Sequence, residues 1–151
     1  MYQATSLHKF KLKDFNLGYV KLSDGTTIIL RAAVIDIKPL PITPPFGVEF
    51  NVVIVGGVSA HPSDSALNEV KDKPIMEPNK MPSDGWTLID IVEKQSAYEE
   101  VEYFLNGKEK YIIRAEIEPI LTAKNTNYRT IQNEPLYFVR WVNKVSWKKC
   151  E

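Results

Sequence analysis

Residues Tyr137 to Trp147 read YFVRWVNKVSW, and this stretch constrains the fold more than any other. Tyr137, Val139, Trp141, Val145 and Trp147 recur at every second position, interrupted by Asn143. Phe138, Arg140, Val142, Lys144 and Ser146 interleave as a mixed, partly charged set. Successive side chains of a strand leave opposite faces, so the alternation predicts a half-buried strand with one aromatic face. A helix would scatter its three largest rings around the axis. The aromatic face needs a covering layer, and the rest of the chain has to supply it.

Most other segments are β-like. Gly18 to Leu22 forms a short strand running into Ser23-Asp24-Gly25-Thr26. Asp-Gly predicts a two-residue type I′ turn, which sets Val20 opposite Ile29 and Tyr19 opposite Leu30. Thr27 to Ile37 is apolar on both faces and suits a central strand covered twice, with Arg31 and Asp36 near a sheet rim. Pro39 to Pro45 is expected to break the sheet as a stiff connector, because proline donates nothing to a ladder. Val48 to Val58 alternates again, and Gly56-Gly57 marks a bulge, a bend or a close backbone approach.

Ser59 to Gly85 is the longest irregular region, with a short helix over about Ser65 to Lys71 capped by Ser63 or Asp64. It serves either as a lid over a pocket or as a wrapper shielding a sheet edge. Trp86 to Glu93 fits either period and is taken as strand. Val101 to Glu118 is a hairpin around Asn106-Gly107. A three-residue loop, Leu105 to Gly107, places Val101 opposite Tyr111 and Glu102 opposite Lys110, so apolar and charged pairings agree. Tyr111, Ile113, Ala115 and Ile117 then face inward, and Arg114, Glu116 and Glu118 outward. Pro119 marks a strand end or bulge, and Ala123 to Pro135 is a polar loop. Together these predict an all-β single domain, an antiparallel barrel or sandwich of about six to seven strands with one or two short helices.

Composition narrows the function classes. Lys plus Arg and Asp plus Glu number 19 each, so no global charge recruits nucleic acid or an anionic membrane. Acids dominate from Asp84 to Glu118 and bases from Lys124 onward, which makes the molecule dipolar. The single cysteine, Cys150, suits a reducing compartment, and neither a signal peptide nor a membrane span is evident, so a cytoplasmic location is expected. His8 and His61 lack metal-ligand spacing, and no GxSxG or phosphate-loop context occurs, so no metal or cofactor is expected. The carboxylate pairs Asp90 with Glu93 and Glu116 with Glu118 have nothing that forces desolvation, which acid–base work requires.

The leading expectation is therefore a non-catalytic domain that binds a protein partner or small ligand through its long loops. Gly56, Gly57 and His61 would join Tyr128 and Arg129 in one site. The alternative is a nucleic-acid-binding β-barrel using Arg140, Lys144 and Lys148 beside the aromatic residues. Its weakness is geometric, since those cations share the face opposite Tyr137, Trp141 and Trp147. A hydrolytic enzyme without a recognisable motif stands third. Oligomeric state is left open.

Overall fold

The computed structural model describes residues 10–150, so His8 lies outside the described residues. Strands hold 67% of the residues and helix only 4%, which settles the class as all-β. Nine strands occur in the order β1 (Phe10–Asn16), β2 (Gly18–Leu22), β3 (Thr27–Thr43), β4 (Gly47–His61), β5 (Trp86–Ile89), β6 (Ile91–Gln95), β7 (Ala97–Leu105), β8 (Glu109–Asn125) and β9 (Leu136–Lys149). One helix, α1 (Asp64–Glu69), follows β4.

Two antiparallel sheets result. In the first, β1, β7, β8 and β9 pair in that order, and β5 pairs with β8 beyond the end of β7. The second runs β4-β3-β2-β6. The chain changes sheets at Leu17, at Asp90 and at Ser96, and the first and last of these corners are bonded where the Gln95 side-chain amide donates to the Leu17 carbonyl at 2.9 Å. Strands that switch sheets at corners are the usual way of coupling two layers without closing a barrel. Among the described residues no strand pair closes this one: β4 and β9 both keep a free edge. The sandwich alternative is the one the chain adopts.

The core follows the strand alternation. Val20, Leu22, Ile28, Leu30 and Ala32 from the second sheet meet Ala97, Ile117 and Val139 from the first. Farther along, the Phe50 ring contacts Tyr103, Tyr111 and Trp147 edge-on at centroid distances of 5.3, 5.1 and 5.4 Å. Edge-to-face contacts of this kind add to the burial of the rings themselves. The final strand behaves as its sequence predicts, with Tyr137, Val139, Trp141, Val145 and Trp147 turned inward and Phe138, Arg140, Val142, Lys144 and Ser146 outward.

Several local expectations are corrected. The first hairpin turns through three residues, Ser23 to Gly25, with Gly25 at φ 87° and the Leu22 amide donating to the Thr26 carbonyl. Val20 then pairs with Ile28 and Tyr19 with Ile29, which keeps Val20, Leu22, Ile28 and Leu30 on one face; a two-residue turn would have set inward residues opposite outward ones. The second hairpin keeps the predicted parity, but its loop is Asn106 to Lys108, which sets Val101 opposite Ile113 and Tyr103 opposite Tyr111. β3 is covered on one face only, since Arg31 and Ile35 are exposed. It also continues through the prolines, pairing Pro39 with Phe50. β2 has ended at Leu30 by then, and proline is tolerated where a strand's other side has no ladder to donate to. β1 escaped notice because six of its seven side chains are exposed and show no alternation. The helix ends two residues sooner than expected, and Ser63 is its cap, accepting from the Ala66 amide.

Gly56 lies under the Trp141 ring. A Cβ there would sit 2.4 Å from Trp141 Cζ2, so the ring crosses between the sheets only because the strand has no side chain at that point. Gly56→Ala is expected to lower unfolding free energy by about 1–3 kcal/mol through overpacking. In a denaturant double-mutant cycle with Trp141→Ala, that cost should largely vanish. Additive effects would show that the ring does not rest on Gly56.

Candidate functional site

The free edges of β4 and β9 face one another across the layers as a seam. Trp141 on Gly56 bridges its middle, and the seam opens on either side of that bridge. At the end bearing the β3–β4 hairpin tip, a cleft of about 670 Å3 is lined by Phe46, Val48, Tyr111, Val145 and Trp147, with Lys148 and Lys149 at its border. That volume lies within the range of small-molecule sites. Phe46 is 76% exposed, so the wall of the cleft carries a ring that the core does not use. Beside it Lys149 Nζ lies 3.3 Å from Glu109, and the Tyr111 hydroxyl donates to the same carboxylate; Glu49, Ser146 and Lys148 also line the cleft.

At the opposite end the two long loops pack on one another. Arg129 and Ile75 form a parallel bridge, with the Arg129 amide donating to the Pro74 carbonyl and the Met76 amide to the Arg129 carbonyl. The Arg129 guanidinium donates to the Lys73 carbonyl and to the Asn133 side chain. Tyr128 lines a smaller depression of about 380 Å3 with residues of the 74–84 segment. Tyr128 and Arg129 thus meet the 59–85 region as expected, with Arg129 engaged as a clamp between loops. His61 is exposed at the end of β4, opposite Thr27. Gly56 serves Trp141, and Gly57 faces open space. The five residues do not converge on one concavity.

Beneath those loops lies a buried polar cluster that sequence inspection missed. Lys124, only 7% exposed at its side chain, places its ammonium 2.7 Å from Asp24 and 2.7 Å from Glu69. The Tyr137 hydroxyl donates to Asp24 at 2.7 Å and lies 2.8 Å from Thr26 Oγ1, while Ser63 Oγ donates to the Asp24 carbonyl. Burial alone would raise the Asp24 carboxyl, but hydrogen bonds from Lys124, Tyr137 and Thr26 outweigh it and hold it below its ordinary value. Burial likewise opposes the Lys124 charge, and Asp24 with Glu69 prevails and raises its pKa. Burial and the neighbouring acids push Tyr137 well up. The register shift after Pro119 flips the parity of β8 and turns Thr122 and Lys124 inward, which the alternation before Pro119 does not signal.

Charge on the outer face of the first sheet is largely self-paired. Lys144 meets Glu118 at 2.6 Å, Glu118 also meets Lys94, and Arg114 bridges Glu100 and Glu116 while lying 3.6 Å over the Tyr98 ring. Lys144 lowers the Glu118 pKa. Arg140 and Lys148 project outward from the same strand, away from the inward Tyr137, Trp141 and Trp147. Of the two carboxylate pairs, Glu116 and Glu118 are bound up in these ion pairs, and Glu93 accepts from the Tyr19 hydroxyl. Among the described residues no group of three His, Cys, Asp or Glu side chains is placed to hold a metal ion, and no helix is long and apolar enough to cross a membrane. No protein-family model, curated protein or solved structure matches the chain.

The buried cluster generates a stability prediction. Lys124→Met leaves the buried Asp24 without its counter-charge and should cost up to about 3 kcal/mol, because Tyr137 and Thr26 still donate to it and Glu69 is solvated. Asp24 has a depressed folded pKa, so its contribution is present above the usual 3.8 and lost as pH falls below it. Lys124 has a raised one, so its contribution persists below 10.5 and is lost as pH rises beyond it. Melting temperatures across pH should fall in both windows, and Lys124→Met should flatten both limbs; unchanged limbs in the variant would remove the cluster from the stability of this end.

Proposed function

We propose that the protein is a non-catalytic binding domain that takes an apolar, ring-bearing group into the cleft between the β3–β4 hairpin tip and the end of β9. The group would be carried by a small ligand or presented by a partner protein. The observation that carries this is the exposed Phe46 ring completing an aromatic wall with Tyr111 and Trp147 in the largest concavity. The lining of Phe46, Val48, Tyr111, Val145 and Trp147 favours binding of an apolar ring, and the neighbouring Lys149, Glu109 and Tyr111 are engaged with one another. The β3–β4 hairpin tip, Pro44 to Phe46, therefore supplies the contact surface, rather than the two long loops that clamp each other at the far end.

A nucleic-acid role would need stacking rings beside free cations, and here Tyr137, Trp141 and Trp147 face the interior while Lys144 is paired. On the outer face of β9 a single ring, Phe138, stands beside Arg140.

Titration with 8-anilinonaphthalene-1-sulfonate tests the cleft. Saturable binding should weaken about tenfold or more in Phe46→Ala, a loss in the range of an interface anchor, with the melting temperature unchanged because Phe46 is exposed. Met81→Ser, in the depression at the loop end, should bind as the parent does. Loss in Met81→Ser with retention in Phe46→Ala would move the site to the loops.

A further inference from the structure

Sheet edges differ in how they are protected. An exposed strand edge offers a row of unpaired amides and carbonyls, and proteins blunt it with charge, proline, bulges or shortness. Among the described residues β9 carries Arg140, Lys144, Lys148 and Lys149; β6 is five residues long with Glu93 and Lys94; β5 has four residues; and β1 carries Lys11, Lys13 and Asp14 with a register shift between Leu12 and Asp14. β4 carries Glu49 near its start and meets a register shift in β3 between Val34 and Asp36, but its own central run has none of these devices. It runs for fifteen residues, about 50 Å at the strand rise, and from Phe50 to Ala60 reads FNVVIVGGVSA, without a charge or a proline. Its ladder to β3 occupies one side only. Its outward side chains Asn51, Val53, Val55 and Gly57 are exposed, and Ile35 of β3 extends this apolar face.

We infer that β4 pairs antiparallel with β4 of a second copy of this chain, joining the two four-stranded sheets across a two-fold axis at Ile54. An antiparallel strand pair about a two-fold is isologous, so each residue meets a fixed counterpart on the other copy. With the axis at Ile54, Val53 lies opposite the other copy's Val55, Val52 opposite Gly56, Asn51 opposite Gly57 and Glu49 opposite Ser59. Parity is conserved, so Val53 and Val55 form one continuous apolar row on the outer face, and no two charges are opposed. A second copy fits better than a foreign strand because the uncharged run is self-complementary and carries nothing that would select a different sequence. The same run left unpaired has the character of a segment that stacks into open assemblies, and closure by a two-fold removes that hazard. The pairing uses the lateral edge of β4, which borders the cleft at Glu49.

Sedimentation velocity from about 1 µM to 1 mM should show a monomer–dimer equilibrium. Val55→Lys and Val53→Glu change exposed side chains, so each variant should fold, judged by an unchanged melting curve, and each alone should be monomeric. Mixed together they should dimerise again, because the axis at Ile54 brings the new lysine of one opposite the new glutamate of the other. Val142→Lys on the edge of β9 should dimerise as the parent does. A parent that stays monomeric throughout, one that forms open aggregates, or a mixture that fails to reassociate would each overturn the proposal.

Discussion

The Trp141 ring resting on Gly56 is the contact on which the open side of this sandwich depends. Two sheets whose last strands do not hydrogen-bond to each other need something to hold their edges at a fixed separation. A large ring from β9 seated on bare backbone of β4 does so. Close approach at a glycine gives the ring contact with main chain that any side chain would prevent. On one side of this bridge the seam widens into the aromatic cleft, and on the other into a smaller gap between Ile28, Ala60, Leu136 and Val139. Closing the barrel would have paired β4 with β9 and removed both.

The two ends of the molecule are stabilised by different physics. At the loop end, Lys124, Asp24, Glu69, Tyr137, Thr26 and Ser63 satisfy one another and join the first hairpin, α1, β8 and β9. A buried charge set of this kind is costly to desolvate and tolerable only when fully partnered, which favours one arrangement of the loops over others. Arg129 extends the same role by clamping the 73–76 segment. At the hairpin end the packing is aromatic, centred on Phe50, and Glu99 reaches from β7 to accept the Val34 amide on the edge of β3 that β2 leaves uncovered. The polar end is committed to internal contacts, while the aromatic end leaves Phe46, Leu40 and Ile42 exposed.

The strands that bury one face were legible from alternation, and β9 is the plainest case. What escaped the sequence were features that alternation does not encode. The fifteen-residue β4 and the proline-bearing end of β3 form one long hairpin, because a strand with one unpaired side accepts proline, which pattern alone does not reveal. The register of both hairpins shifted because a glycine or asparagine in the loop is compatible with more than one loop placement, and only the partner strand selects one. The glycine pair at 56–57 is compatible with a bulge, a bend or a close approach, and what decides for the last is a ring 85 residues later in the chain, a non-local contact that no window could contain. Lys124 was invisible for a related reason: the register shift after Pro119 reverses which side chains of β8 face the core.

Chemical-shift mapping tests most directly the proposal that the aromatic cleft takes a ring-bearing group. In 1H–15N spectra recorded during titration with an apolar aromatic probe, perturbations should concentrate on Phe46 to Glu49 and Val145 to Lys149, the two walls of the cleft. Perturbations gathered instead on Ile75 to Asp84 and Tyr128, at the loop end, would contradict it.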